Sequence, residues 1–109
     1  IFIIMELSNI VEQLAALAQE SRLEVFRRLV AAGPDGLAAG EISEDLGIPA
    51  PTLSFHLKDL RQAGLVHSQR DGRSIIYSAN YNSINDVIAY LKENCCKKPT
   101  KKRRKKSCC

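Results

Sequence analysis

The stretch Pro49-Ala-Pro-Thr-Leu-Ser-Phe-His-Leu-Lys-Asp-Leu-Arg-Gln-Ala-Gly-Leu-Val66 decides how the rest of this 109-residue chain is read. It offers a prolyl start, an amphipathic helix, a glycine stop and the beginning of a strand. At about 100° per residue, Leu53, Leu57 and Leu60 share one face, while Ser54, Phe55, Lys58, Arg61 and Gln62 lie on or near the other. One side suits a core and the other a partner. Immediately upstream, Gly40-Glu-Ile-Ser-Glu-Asp-Leu-Gly47 predicts a short helix with Ile42 and Leu46 one turn apart and Gly47 just past its end. Two helices joined through Ile48-Pro49 make a helix-turn-helix, whose second helix is the candidate DNA reader.

Working outward, Leu7, Ile10, Val11, Leu14, Leu17 and Ala18 follow helical spacing, so residues 6 to 19 form an amphipathic helix whose apolar stripe needs a partner. Ser21-Arg-Leu-Glu24 has the capping-box pattern, and Val25, Phe26, Leu29 and Val30 follow as a core face up to the Gly33-Pro34-Asp35-Gly36 turn. Beyond the helix-turn-helix, Leu65 to Arg70 and Ser74 to Asn80 flank Asp71-Gly72-Arg73, a hairpin cue that predicts a wing. Ser83 precedes Ile84, Val87, Ile88 and Leu91, which predict a last helix running towards Cys95. No internal repeat is visible. The expected fold class is mainly α with a small β-hairpin wing.

The net charge of +4 hides an asymmetry. Residues 97 to 106 hold eight of the sixteen basic side chains and no acidic one, leaving eight against twelve, a net −4, in residues 1 to 96. Within that acidic body Lys58, Arg61, Arg70 and Arg73 gather in the reading helix and the wing, and this local cluster is the nucleic-acid signal. The longest apolar run, Ile1 to Met5, is too short for a membrane span and lacks a basic n-region, so a cytoplasmic protein is expected. Met5 is a candidate initiator, and residues 1–5 are set aside as a disordered or non-native leader. Residues 6–96 make one domain and 97–109 a basic tail, expected to be disordered because it is charged and has few apolar side chains. A domain this small buries proportionately little surface, which favours an oligomer. No nucleophile and base pair up and no phosphate loop is present, so no enzyme is expected.

All four cysteines lie near the C-terminal end, as Cys95-Cys96 and Cys108-Cys109. None can staple the core. Adjacent cysteines rarely bridge each other, and a soft metal or metalloid site is the better reading of them. Four thiolates could hold Zn(II) or Cd(II) tetrahedrally. The neighbouring lysines and arginines favour the thiolate form. A metal-buffering thiol protein without a DNA role stands as the reading from another class.

Three elements together resemble the ArsR/SmtB family of metal-responsive transcriptional repressors, over roughly residues 8 to 93. Leu17-Ala-Gln-Glu-Ser-Arg-Leu23 resembles the family's run into its second helix. Leu53 to Val66 is similar to its "xSxHLxxLxxAGLV" pattern, and Arg70-Asp-Gly-Arg-Ser-Ile-Ile-Tyr77 to its wing pattern. The resemblance implies a homodimer held by the first and last helices and double-stranded operator DNA as partner. Thr52, Ser54, Phe55, Lys58 and Arg61 on the reading helix, His56 as a positioning group or phosphate donor, and Arg70 and Arg73 flanking the wing tip are the candidate DNA contacts. The segment before the reading helix, Glu41-Ile-Ser-Glu-Asp-Leu46, lacks the cysteines that many arsenic sensors of the family carry there. Asn94-Cys-Cys96 instead looks like the vicinal pair that others carry at the end of the last helix. As(III) or Sb(III) as inducer, held by Cys95, Cys96 and a third thiolate from Cys108 or Cys109, is what the resemblance implies; no permanent cofactor is expected. Sensing of Zn(II), Cd(II) or thiol oxidation is the alternative. Phe55 stands where the family often has Arg or Lys, and Pro49 where it has a Ser or Thr cap.

Overall fold

The computed structural model describes residues 7–97. The elements run α1 (Leu7–Leu17), α2 (Glu20–Ala32), β1 (Leu37–Ala38), α3 (Ala39–Leu46), α4 (Ala50–Gln62), β2 (Val66–Asp71), β3 (Ser74–Ala79) and α5 (Tyr81–Lys92). The expected fold class is observed, with one addition: the wing is a three-stranded antiparallel sheet in the order β1-β3-β2. The two-residue β1, opposite Tyr77 and Ile76, is too short to leave an alternation in the sequence. Gly36 opens it at φ +73°, where a Cβ would collide with the Tyr77 carbonyl.

The core gathers Val25, Phe26 and Leu29 from α2, Ile42 from α3, Ile48 from the turn, and Leu53, Leu57 and Leu60 from α4. Leu65, Val66 and Ala79 close it from the base of the wing. The leucine face read from the sequence is therefore the buried face of α4. Gly47, at φ +68°, ends α3 in the left-handed conformation, as its position after Leu46 implies.

Several local expectations change. The cap of α2 is Gln19, whose side chain accepts from the Arg22 amide at 2.8 Å, so Ser21 and Glu24 lie inside the helix rather than forming a capping box. Arg22 also donates through Nε to the Ala16 carbonyl at 2.6 Å, closing the end of α1 at Leu17, short of the expected residue 19. Val30 is 39% exposed and not a core residue. Asn80, expected at the end of a strand, instead caps α5 by accepting from the Ser83 amide, so that helix starts at Tyr81 and stops at Lys92. The expected apolar stripe of α1 is split. Ile10 is buried with Gln13 and Ala16, while Leu7, Val11 and Leu14 stay exposed. The last helix repeats this division, with Val87 buried and Ile88 and Leu91 exposed.

Candidate nucleic-acid interface

Helix α4 stands on its three buried leucines and turns the rest of its surface outward. Thr52, Ser54, Phe55, Lys58 and Arg61 are all exposed. Phe55 is 67% exposed on this face. Pro49, the residue before the helix, supplies no side-chain acceptor to the first-turn amides. Those donors are left for solvent or a phosphate. His56 differs from its neighbours: it is half-buried, and its Nδ1 is buried without a hydrogen-bond partner. It sits at the border of the core, as the helical spacing places it.

The wing brings the second cluster. Asp71 pairs with Ser74 across a two-residue turn of Gly72 and Arg73. Gly72 has φ +65° and Arg73 does not share a positive φ, which suits a type II′ turn rather than the type I′ usual for Asp-Gly. Arg70 lies opposite Ile75 one pair further from the turn. Arg70 and Arg73 are both exposed, so two guanidinium groups sit at the tip. Among the described residues none of Lys58, Arg61, Arg70 and Arg73 has an ion pair or side-chain hydrogen bond within the chain. Four exposed cations without a partner among the described residues, two on α4 and two at the wing tip, are suited to phosphates.

One feature of this surface has no sequence signal. Asp59, the acidic residue of α4, is held at 3.3 Å by Arg22 of α2, 37 positions away in the chain. A carboxylate that would oppose a polyanion is thereby paired with a cation at the flank of the helix. Arg28 holds Asp45 of α3 in the same manner at 2.9 Å.

The sulfur residues lie at the other end of the chain. Past α5, Asn94 and Cys96 both take left-handed backbone, at φ 63° and 57°, and the chain coils through Cys95. Cys95 Sγ and Cys96 Sγ are 3.6 Å apart. At 3.6 Å the two are not bridged to each other, yet neither is a free thiol, where thiols were expected. Among the described residues no three Cys, His, Asp or Glu side chains gather into a metal-binding group. Cys108 and Cys109 lie outside the described residues, as do residues 1–5 and nearly all of the basic tail. His67 is an exposed residue of β2. Among the described residues no helix is long and apolar enough to cross a membrane.

A helix-turn-helix domain model matches residues 17–69, the span from the end of α1 to the wing. The chain is 37% identical over 83 residues to the HTH-type transcriptional regulator YgaV of Escherichia coli, covering 76% of this chain and 82% of that protein. It is 36% identical over 86 residues to the arsenical resistance operon repressor of Staphylococcus aureus, covering 79% and 77%. It spans 58% of the length of two further relatives. Among solved structures it is similar to the homodimeric winged helix-turn-helix DNA-binding domain of a possible ArsR-family regulator from Mycobacterium bovis. The TM-score is 0.66 at 27% identity, with 79% of this chain and 77% of that one covered.

Proposed function

The chain belongs to the ArsR family of winged helix-turn-helix transcriptional regulators, and from that membership we propose that it is a cytoplasmic, homodimeric repressor released from operator DNA by As(III) or Sb(III). The observation that carries the DNA half is the outer side of α4 and the wing, where Lys58, Arg61, Arg70 and Arg73 are exposed and have no partner among the described residues. Thr52 and Ser54 can reach base edges, Phe55 can meet a thymine methyl, and the arginines of the wing hold phosphates or enter the minor groove. Two copies joined through the exposed stripes Leu7, Val11, Leu14 and Ile88, Leu91 would present two reading helices to half-sites about one helical turn, roughly 34 Å, apart.

The sensing half rests on Cys95 and Cys96. Once reduced, the vicinal pair supplies two thiolates at once, and a trigonal metalloid needs only one more, from Cys108 or Cys109 of either copy. Soft thiolates select the ligand class. The relative from Staphylococcus aureus that represses an arsenical resistance operon supports the choice of metalloid. Because these cysteines end α5, whose outer face joins the dimer, gathering them on an ion shifts the helix that sets the separation of the two readers. A coupling of about 1 to 3 kcal/mol weakens DNA binding roughly 5- to 150-fold.

The test is release of a duplex selected by the protein from a random-sequence pool, titrated in reducing buffer with As(III), Sb(III), Cd(II) and Zn(II). As(III) and Sb(III) should release it at the lowest concentrations. Release that persists in a Cys95→Ser, Cys96→Ser double variant removes the sensing site from this position. A second reading follows from the disulfide state of the two cysteines: oxidation itself is the signal. It predicts release by a thiol oxidant with no metal present. Failure to shift any duplex at low salt would instead favour the metal-buffering role.

A further inference from the structure

The inner face of α1 contains a side chain that its hydrophobic pattern does not require. Gln13, 7% exposed between Ile10 and Ala16, is the buried polar residue of the described core. Its Nε2 donates to the Ala63 carbonyl at 3.0 Å, a contact spanning 50 positions, and its Oε1 is buried with no partner. A leucine or methionine would fill the same place without stranding an oxygen, so folding stability alone gives no reason for an amide here.

The carbonyl it holds belongs to the turn that ends the reading helix. Ala63 is the residue after α4, Gly64 follows at φ +83°, and Leu65 enters the wing. The turn's next carbonyl, that of Gly64, accepts from Asn80 Nδ2 at 2.9 Å. The one after, that of Leu65, accepts from the Asn80 amide at 2.8 Å. Asn80 is also the cap of α5, its Oδ1 accepting from the Ser83 amide at 3.2 Å. Three successive carbonyls at the end of α4 are therefore held from two sides, by a side chain of α1 and by the cap residue of α5. The helices with exposed apolar outer faces are the ones that hold the end of the reading helix.

We propose that Gln13 and Asn80 are positioning residues that fix the orientation of α4 relative to α1 and α5, so that a change in the packing of the two outer helices is transmitted to the DNA-facing side chains. A hydrogen bond has a direction that apolar packing lacks, and an amide aimed at one carbonyl specifies a single rotational setting of the helix end. The proposal rests on the reading of α4 as the DNA-facing helix, but its primary readout does not.

Gln13→Leu and Gln13→Met are compared with the wild type by thermal unfolding, by backbone amide shifts of the DNA-free protein, and by affinity for the duplex selected from a random pool. The melting temperature should stay the same or rise. Amide shifts should spread along α4 as far as Phe55 and Lys58, and affinity should fall about tenfold, or roughly 1.4 kcal/mol. Shifts confined to the neighbours of residues 13 and 63, with affinity within about twofold of wild type, would overturn the proposal. Asn80→Ser tests the other side and covers the case in which the Gln13 variants do not fold. Serine still caps α5 but cannot reach the Gly64 carbonyl, and the same spread of shifts along α4 is expected. Shifts confined to the start of α5 would again overturn it. If the wild type selects no duplex, the DNA reading fails while the amide shifts still decide the coupling.

Discussion

Helices α1 and α4 bury one face each in the same domain, yet they turn opposite kinds of surface outward. Outside its leucines, α4 shows hydroxyls, cations and the ring of Phe55; α1 shows Leu7, Val11 and Leu14. Hydroxyls and cations pair with phosphates and base edges, whereas a strip of aliphatic side chains gains free energy only by leaving water against another apolar surface. Under the proposed function, the contrast separates the partners of two helices that helical spacing of apolar residues would class together: a polyanion for α4 and a second copy for α1 with α5.

Substitutions on each face can break that assignment. The largest effect is expected where the two helices are alike, in the core. Leu57→Ala, at a position 1% exposed, should destabilise the fold by about 2 to 5 kcal/mol in denaturant unfolding. It should lower dimerisation and DNA binding together. On the outer side of α1 and α5, Leu14→Glu with Leu91→Glu should leave a folded monomer in sedimentation. Operator affinity should then fall about 100-fold, because each monomer engages one half-site without its neighbour. A double variant that remains dimeric would mean that these stripes are not the interface.

Smaller effects are expected on the DNA side, without loss of stability. Phe55→Ala should keep the melting temperature within about 2 °C, since the ring is largely exposed, while discrimination at one base position falls about tenfold. A drop in stability would show that the ring packs against the chain. The smallest change belongs to the wing tip. Arg73→Ala should weaken binding to all duplexes alike and reduce the slope of log affinity against log salt by about one. An unchanged slope would remove Arg73 from the phosphate contacts.

Much of this was legible in the sequence because it depends on local periodicity. The leucines of α4, the glycine that ends α3 and the hairpin around Gly72 are written in residues a few positions apart. Where the reading failed, the deciding partner was distant or the competition was local. Ser21 has the composition of a cap, but Gln19 reaches the Arg22 amide first. Asn80 has the look of a strand end, but its side chain serves α5 and the α4 turn at once. The strand β1 exists only because β3 offers it an edge.

The sequence by itself determined the order of elements, the buried face of α4 and the placement of all four cysteines near its C-terminal end, since periodicity, turn residues and residue identity need no third dimension. Only the tertiary structure divided the apolar residues of α1 into an inner and an outer set, tied Asp59 to Arg22, and joined Gln13 and Asn80 to the end of the reading helix. Those outcomes depend on which side chains meet across tens of residues, and spacing along the chain does not encode such meetings.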